Sequence, residues 1–252
     1  MVFDFDGTLS LIREGWPVIM QGMFEEMLPP RHGDAAAEVR QMLFDDMMKL
    51  NGKQTIYQMM QFAERVKERG GVPREPLWYK HEYLRRLEQK IQDRIGDLQA
   101  GRCRPERFLL HGSRALLENL RGRGMNLYLA SGTDEVFVKR EAELLGVTEF
   151  FGAGIYGAQD DYTSFSKKMV IERILRENAI AGERLLAFGD GYVEIQNTKE
   201  VGGLAVAVAS DEANNGSGKI DEWKRNRLLG VGADIVIPDY RDADALLARI
   251  LD

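Results

Sequence analysis

The sequence predicts an α/β protein: a doubly wound parallel sheet with an all-α segment inserted after its first strand. Three observations carry this reading. A short apolar run, Met1 to Phe5, stands at the start; from about residue 13 to residue 102 the apolar residues recur at helical spacing; and from residue 103 onward strand and helix signals alternate. Strands separated by helices of ten or so residues imply right-handed crossovers, hence a parallel sheet covered by helices. The predicted division is a core of residues 1–12 and 103–252, with an inserted helical block of residues 13–102. A chain of 252 residues, set against roughly 150 per domain, fits one domain carrying a sizeable insertion.

The elements follow in order. Met1 to Phe5 reads as a strand because it is apolar until the first acid, Asp4. In the inserted block Val39, Met42, Leu43, Met47 and Leu50 mark one helical face; Ile56, Met59, Met60, Ala63 and Val66 a second; and Leu84, Leu87, Ile91, Ile95 and Leu98 a third. With the stretch after Arg13 this makes four helices and essentially no strand, separated by Pro29-Pro30-Arg31-His32-Gly33, Asn51-Gly52 and Gly70-Gly71-Val72-Pro73. Eight of the eleven methionines lie between Met20 and Met60. They read as helix-on-helix core, the alternative being a deformable surface facing a substrate. Beyond Arg104-Pro105 the pattern predicts a helix near 113–122, a strand from Met125 to Ala130, a helix near 134–145 and a strand near 150–155. It continues with a helix near 167–178, a strand from Leu185 to Phe188, a short helix near 193–200 and a strand from Leu204 to Ala209. A helix near 220–229, a strand from Ile235 to Ile237 and a helix near 241–251 complete it.

Composition narrows the function. Apolar residues at 44%, charged residues at 29%, 26 glycines and 7 prolines are ordinary globular proportions, which excludes collagen-like and disordered chains. A net charge of −6 offers no general attraction to nucleic acid or anionic lipid, so neither is expected as a partner, and any anion must be held locally. Cys103 is the single cysteine, which rules out an intrachain disulfide. Apolar runs such as Leu204 to Ala209 fall far short of the ~20 residues needed to span a bilayer. No leader-like n-region and h-region open the chain, so a cytoplasmic location is expected. Only three residues precede Asp4, short for a central strand, which leaves room for a longer N-terminus. Nothing in the sequence bears on oligomeric state.

Three strand ends carry polar residues that a core would not select. The first strand runs into Asp4-Phe5-Asp6-Gly7-Thr8, the strand from Met125 into Ser131-Gly132-Thr133-Asp134, and the strand from Leu185 into Gly189-Asp190-Gly191, with Glu194 four residues beyond Asp190. In a parallel sheet these ends point the same way and can share one crevice. Asp4, Asp6, Asp190 and Glu194 would gather up to four negative charges there, which calls for a cation. Hard oxygen ligands with no His or Cys beside them suit Mg²⁺ rather than zinc. Ser131 and the Gly132 amide supply a hydroxyl and free N–H groups for an anion. One lysine of Ser166-Lys167-Lys168 can reach the crevice as a fixed positive charge.

Taken together the motifs resemble those of the haloacid dehalogenase-like phosphatases. Asp4-Phe5-Asp6-Gly7-Thr8 is similar to the first motif, Ser131-Gly132 to the second, Lys167 to the third, and Gly189-Asp190-Gly191 with Glu194 to the fourth. A helical insertion after the first motif resembles that superfamily's cap, as in its phosphoserine phosphatase and β-phosphoglucomutase branches. The resemblance implies that Asp4 is a nucleophile forming an aspartyl phosphate and that Asp6 protonates the leaving alkoxide, then deprotonates water. Because release of a halide needs no acid, Asp6 favours phosphate chemistry over dehalogenation. Mg²⁺ would be held by the Asp4 side chain, the Asp6 carbonyl, Asp190 and Glu194, directly or through water. Ser131, Gly132 and Lys167 would hold the phosphoryl group, with Lys168 the alternative lysine. Glu194 stands where many relatives carry Asp.

The implied activity is Mg²⁺-dependent hydrolysis of a small phosphorylated metabolite. Alternatives are a sugar-phosphate phosphomutase, which uses the same nucleophile, and a non-catalytic phosphate-binding or scaffold protein. Asn51-Gly52-Lys53-Gln54-Thr55, with Arg13 and Glu14 at the first hinge, are the candidate specificity residues. Gly152-Ala153-Gly154-Ile155-Tyr156-Gly157 fits a dinucleotide fingerprint but opens no helix. The start of an EF-hand fails at Leu9 and Gly15. His32, His81 and His111 have no metal spacing. Lys224-Arg225-Asn226-Arg227 reads as a solvated helix face.

Overall fold

In the computed structural model, which describes residues 1–251, the strands are β1 (Val2–Phe3), β2 (Tyr128–Asp134), β3 (Ile155–Ala158), β4 (Leu186–Gly189), β5 (Leu204–Val208) and β6 (Ile235–Ile237). They form one sheet in the order β3-β2-β1-β4-β5-β6, with every neighbouring pair parallel. β1 pairs Phe3 with Leu129 on one side and with Phe188 on the other, so the first strand is central. The chain runs outward from β1 through β2 to β3 and then crosses back to β4 on the opposite side. That reversal opens a crevice at the carboxyl ends of β1, β2 and β4, where such sheets bind ligands.

The central strand is buried on both faces, as its unbroken apolar run requires. Phe3 stacks on Phe188 with centroids 4.7 Å apart, Phe151 meets Phe3 edge-on at 6.1 Å, and Tyr240 meets Phe188 edge-on at 6.0 Å. Between β1 and β2 lie α1 (Trp16–Met27), α2 (Ala36–Lys49), α3 (Thr55–Glu68) and α4 (Pro76–Gln99). Pro76 starts α4 at a position where its missing N–H has no intrahelical partner to lose. Phe24 of α1 stacks on Phe62 of α3 at 4.1 Å, and Tyr79 of α4 meets Phe62 edge-on at 5.0 Å. Met20, Met23, Met47 and Met59 are buried in this helical core, as expected for helix-on-helix packing.

The remaining helices are α5 (Ser113–Gly122), α6 (Glu135–Leu144), α7 (Thr148–Phe151), α8 (Lys167–Glu177), α9 (Tyr192–Glu200), α10 (Glu222–Gly230) and α11 (Ala243–Leu251). β1 is shorter than the run from Met1 to Phe5, and two further strand positions differ from the prediction. β2 begins three residues later than Met125 and continues through Ser131 to Asp134, with an irregular register against β3. The strand expected near 150–155 is instead α7 followed by β3. Phe150 and Phe151 are both buried, which a helical turn packed on the sheet allows as well as a strand covered on both faces does, so burial alone does not separate the two. Gly152 then leaves the helix at φ 53°, and Gly154 passes the Tyr128 ring so closely that a Cβ there would stand 2.8 Å from it. Gly152 to Gly157 thus runs into a strand, with no helix opening before Lys167. Among the described residues no helix is long and apolar enough to cross a membrane.

Candidate active site

Asp4 follows the last residue of β1, and its N–H donates to Phe188 O at 2.9 Å, which continues the sheet into the site. The chain then turns sharply: Gly7 has φ 73°, and a Cβ there would lie 2.3 Å from Asp190 Oδ2. A side chain at this position would displace the acid across the crevice. Asp4 is 7% exposed, and its Oδ1 accepts from Phe5 N and from Lys167 Nζ, both at 2.8 Å. Asp6 Oδ2 accepts from Thr133 Oγ1 at 2.8 Å and stands 3.5 Å from Ser131 Oγ.

The three predicted strand ends therefore meet. Lys167 Nζ lies 2.8 Å from Asp4 Oδ1 and 2.9 Å from Glu194 Oε2. Lys168 points the other way, exposed and paired with Glu200. Ser166 caps α8 by accepting from Met169 N, and this sets the helix start that directs Lys167 inward. Glu194 Oε1 accepts from Gly191 N at 2.7 Å, so the same carboxylate caps α9 and anchors Lys167. Ser131 is not a helix cap: Asp134 holds that position before α6, and its carboxylate pairs with the buried Lys80 of α4 at 2.7 Å.

Electrostatics follow from this crowding. Burial raises the Asp4 carboxyl well above its usual range, Glu194 pushes it further, and Lys167 only partly opposes them. Burial also raises Asp190, against the pull of Lys224 and with Glu212 and Glu194 adding to the rise. For Glu194 the burial cost is outweighed by Lys167, and the carboxyl is held low. Burial lifts Asp6 to about 6; Arg13 opposes this and Glu141 adds to it. Asp4, Asp190 and Glu194 can each offer one oxygen, with the three atoms within 4.8 Å of one another. Three mostly buried carboxylates with hard oxygen donors and too little positive charge fit a divalent cation such as Mg²⁺.

Several residues of the site carried no motif. Thr133 holds Asp6, and its signal was its place two residues after Ser131. Arg13, a candidate specificity residue at the first hinge, does line the cavity over Asp4 and Asp6; it is 4% exposed and grips Glu141 with Nε and Nη2 at 2.7–3.2 Å, while Nε lies 3.8 Å from Asp6 Oδ1. Glu141 is fully buried in α6 beside Val138 and Ala142; an acid within an apolar stripe was the available signal. Lys224 corrects the reading of residues 224–227 as a solvated face. Its ammonium lies 3.1 Å from Asp190 and bonds Glu212, with 12% of its side chain exposed. Helices that follow parallel strands begin at the carboxyl edge of the sheet, so a lysine in the first turn of α10 stands at the crevice. Arg225 does pair on the surface with Glu222, and Arg227 lies over the Tyr192 and Trp223 rings.

A cavity over these groups lies between the core and the inserted helices. It is lined from the core by Asp4, Asp6, Ser131, Gly132, Lys167 and Asp190, and from the insertion by residues that include Trp16, Lys53, Thr55, Gln58 and Tyr83. A Cβ on Gly132 would stand 2.5 Å from Lys53 O, so the absent side chain admits the loop of residues 51–55. Lys53 lines the cavity, whereas Gln54 turns away: it is 4% exposed and its Nε2 donates to Tyr162 O and Phe165 O at 2.9 and 2.7 Å. Glu14 also lies off the cavity, paired with Arg94, whose Nη1 holds the carbonyls of Ile12 and Glu14.

Residues 1–202 match the family model of the haloacid dehalogenase-like hydrolases. The chain belongs to this family. It is an enzyme of the hydrolase class, as the ordered acids and lysine of the crevice suggested. A 5'-nucleotidase of Pseudomonas aeruginosa is 29% identical over 130 residues, which cover 52% of this chain and 56% of that protein. The chain thus matches little more than half the length of that relative. Among solved structures, a predicted phosphatase from Clostridium acetobutylicum superposes with a TM-score of 0.63 at 18% identity, covering 99% of this chain and 96% of that one. A beta-phosphoglucomutase from Clostridium difficile gives 0.62 at 11% identity, covering 96% and 91%. At these identities the likeness is one of fold.

Proposed function

We propose that this haloacid dehalogenase-like hydrolase is a Mg²⁺-dependent phosphomonoesterase acting on a small organic phosphate through an aspartyl-phosphate intermediate. The observation that carries this is the pairing of Asp4, held at the central strand end by Lys167, with Asp6 two residues on, whose carboxyl is lifted to about 6. A carboxylate oxygen of Asp4 attacks phosphorus while Asp6 gives its proton to the departing alkoxide, and Asp6 then takes a proton from the water that attacks the acyl phosphate. Lys167, Ser131 Oγ and the Gly132 N–H hold the phosphoryl oxygens. Asp4, the Asp6 carbonyl and Asp190 would hold Mg²⁺, with Glu194 adding a direct or water-mediated contact, and the ion would neutralise the phosphoryl oxygens. The helices of residues 13–102 act as a cap that excludes bulk water from a core of residues 1–12 and 103–252.

Phosphate release over a panel of sugar phosphates, phosphoglycolate, phosphoserine and nucleotides, with and without chelator, tests this reading. We expect release to stop with a chelator and to return on adding Mg²⁺; activity that survives exhaustive chelation would remove the metal from the mechanism.

A second expectation concerns pH. The first step needs Asp6 protonated, a form that is present below pH about 6 and lost as pH rises through it. For an alkyl phosphate, kcat/KM should therefore fall toward tenfold per pH unit above about 6. An aryl phosphate, whose leaving group needs no proton, should fall much less. Parallel pH profiles for the two leaving groups would argue against Asp6 as the acid.

A further inference from the structure

We infer that the leaving group of the substrate carries hydroxyl groups and that Gln58 and Tyr83 are the residues that read them. The inference rests on the phosphomonoesterase reading and deepens it. Both residues come from the inserted helices, Gln58 from α3 and Tyr83 from α4, and both line the cavity above Asp4 and Asp6. Each is more than nine-tenths buried, at 5% and 4% exposure.

The orientation of Gln58 is set by its partner. Its side chain bonds Met47 O at 3.0 Å, and a carbonyl can only accept, so the atom there is the amide nitrogen and Oε1 is the atom left over. No described residue donates to that oxygen. Nor is it among the polar atoms sealed away from solvent, so the space it faces is the cavity. The Tyr83 hydroxyl is in the same position: among the described residues it has no hydrogen-bond partner, and it is not sealed in. Burial, with Asp6 and Glu141 nearby, holds its phenol above the ordinary range, so it stays a neutral donor.

Both atoms open onto the cavity, where water can meet them until a ligand displaces it, and a ligand that offers no replacement leaves a desolvated polar group unmet. Here the missing partners belong to whatever enters the cavity. An acceptor fixed by its own amide requires a donor from the ligand, and a phenol lining the same cavity can give or take one; a polyol or a ribose satisfies both, and an alkyl or aryl chain satisfies neither. Gln54, which sequence position favoured, gives its amide N–H groups to Tyr162 O and Phe165 O, and it does not line this cavity.

The test uses matched pairs that differ only in hydroxyl groups, assayed with Mg²⁺. Glycerol 3-phosphate is paired with propyl phosphate, and adenosine 5'-monophosphate with its 2',3'-dideoxy counterpart, so that a small polyol and a nucleotide ribose are told apart. We expect the enzyme to favour the hydroxylated member of at least one pair by roughly 10- to 100-fold in kcat/KM, the scale of an unmet hydrogen bond to a buried group. In Tyr83→Phe and Gln58→Met that ratio should shrink about tenfold. Tyr83→Phe removes no bond within the protein, so it decides the matter even if Gln58→Met folds poorly. Equal turnover within both pairs by the unaltered enzyme, or variants that lower both members by the same factor, would overturn the inference while leaving the phosphomonoesterase reading intact. Absence of Mg²⁺-dependent turnover on every substrate, p-nitrophenyl phosphate included, would overturn that reading and the inference together.

Discussion

Asp4→Asn is expected to lower kcat by about 10⁴-fold or more, on the scale seen when a covalent nucleophile is removed. The amide keeps the shape of the carboxyl and can still present an oxygen to Lys167, but it cannot form an acyl phosphate. The same change should leave the metal-free protein as stable or raise its melting temperature. Burial and Glu194 lift the Asp4 carboxyl well above its usual range, so its ionised form opposes folding at neutral pH, and the amide removes that charge. Single-turnover phosphate release and a thermal melt without divalent ions measure the two effects. Turnover within tenfold of the unaltered enzyme would end the covalent mechanism; a large loss of stability would mean that the loss of turnover reports misfolding.

Arg13→Met is expected to destabilise the protein by about 3 kcal/mol, because removing one partner of a buried ion pair strands the other. Glu141 is fully buried, and after the substitution it keeps only Arg140, one-third exposed and 3.2 Å away. For a chain of this size the loss corresponds to a fall of roughly 6 to 12 °C in Tm. Arg13 also holds down the Asp6 carboxyl that burial lifts to about 6. Without it the acid form persists to higher pH, and the falling limb for an alkyl phosphate should move upward. A Tm within about 2 °C of the unaltered protein would show that the Arg13–Glu141 pair contributes little.

Much of the site was legible because each of its motifs is local. Asp4 and Asp6 sit two residues apart after an apolar strand, and Asp190 and Glu194 sit four apart where β4 gives way to α9, so spacing alone reports which of them share an edge. Lys167 could be separated from Lys168 only once the start of α8 was known, since a shift of one residue rotates a helical side chain by about 100°. The strand misplaced near residues 150–155 shows the limit of periodicity. Two adjacent phenylalanines are read as strand, yet one turn of helix buries both.

The sequence by itself determined the strand and helix alternation, the inserted helical block and the acidic strand ends, because these follow from local periodicity and from the directionality of a parallel sheet. Only the tertiary structure decided that Lys224 braces Asp190, that Arg13 pairs with Glu141 128 residues away, that Gln54 faces a loop and that Gln58 and Tyr83 face the cavity. The physical reason is that a buried charge or amide is placed by the partner that compensates it. Those partners lie on other elements, at separations no local pattern encodes.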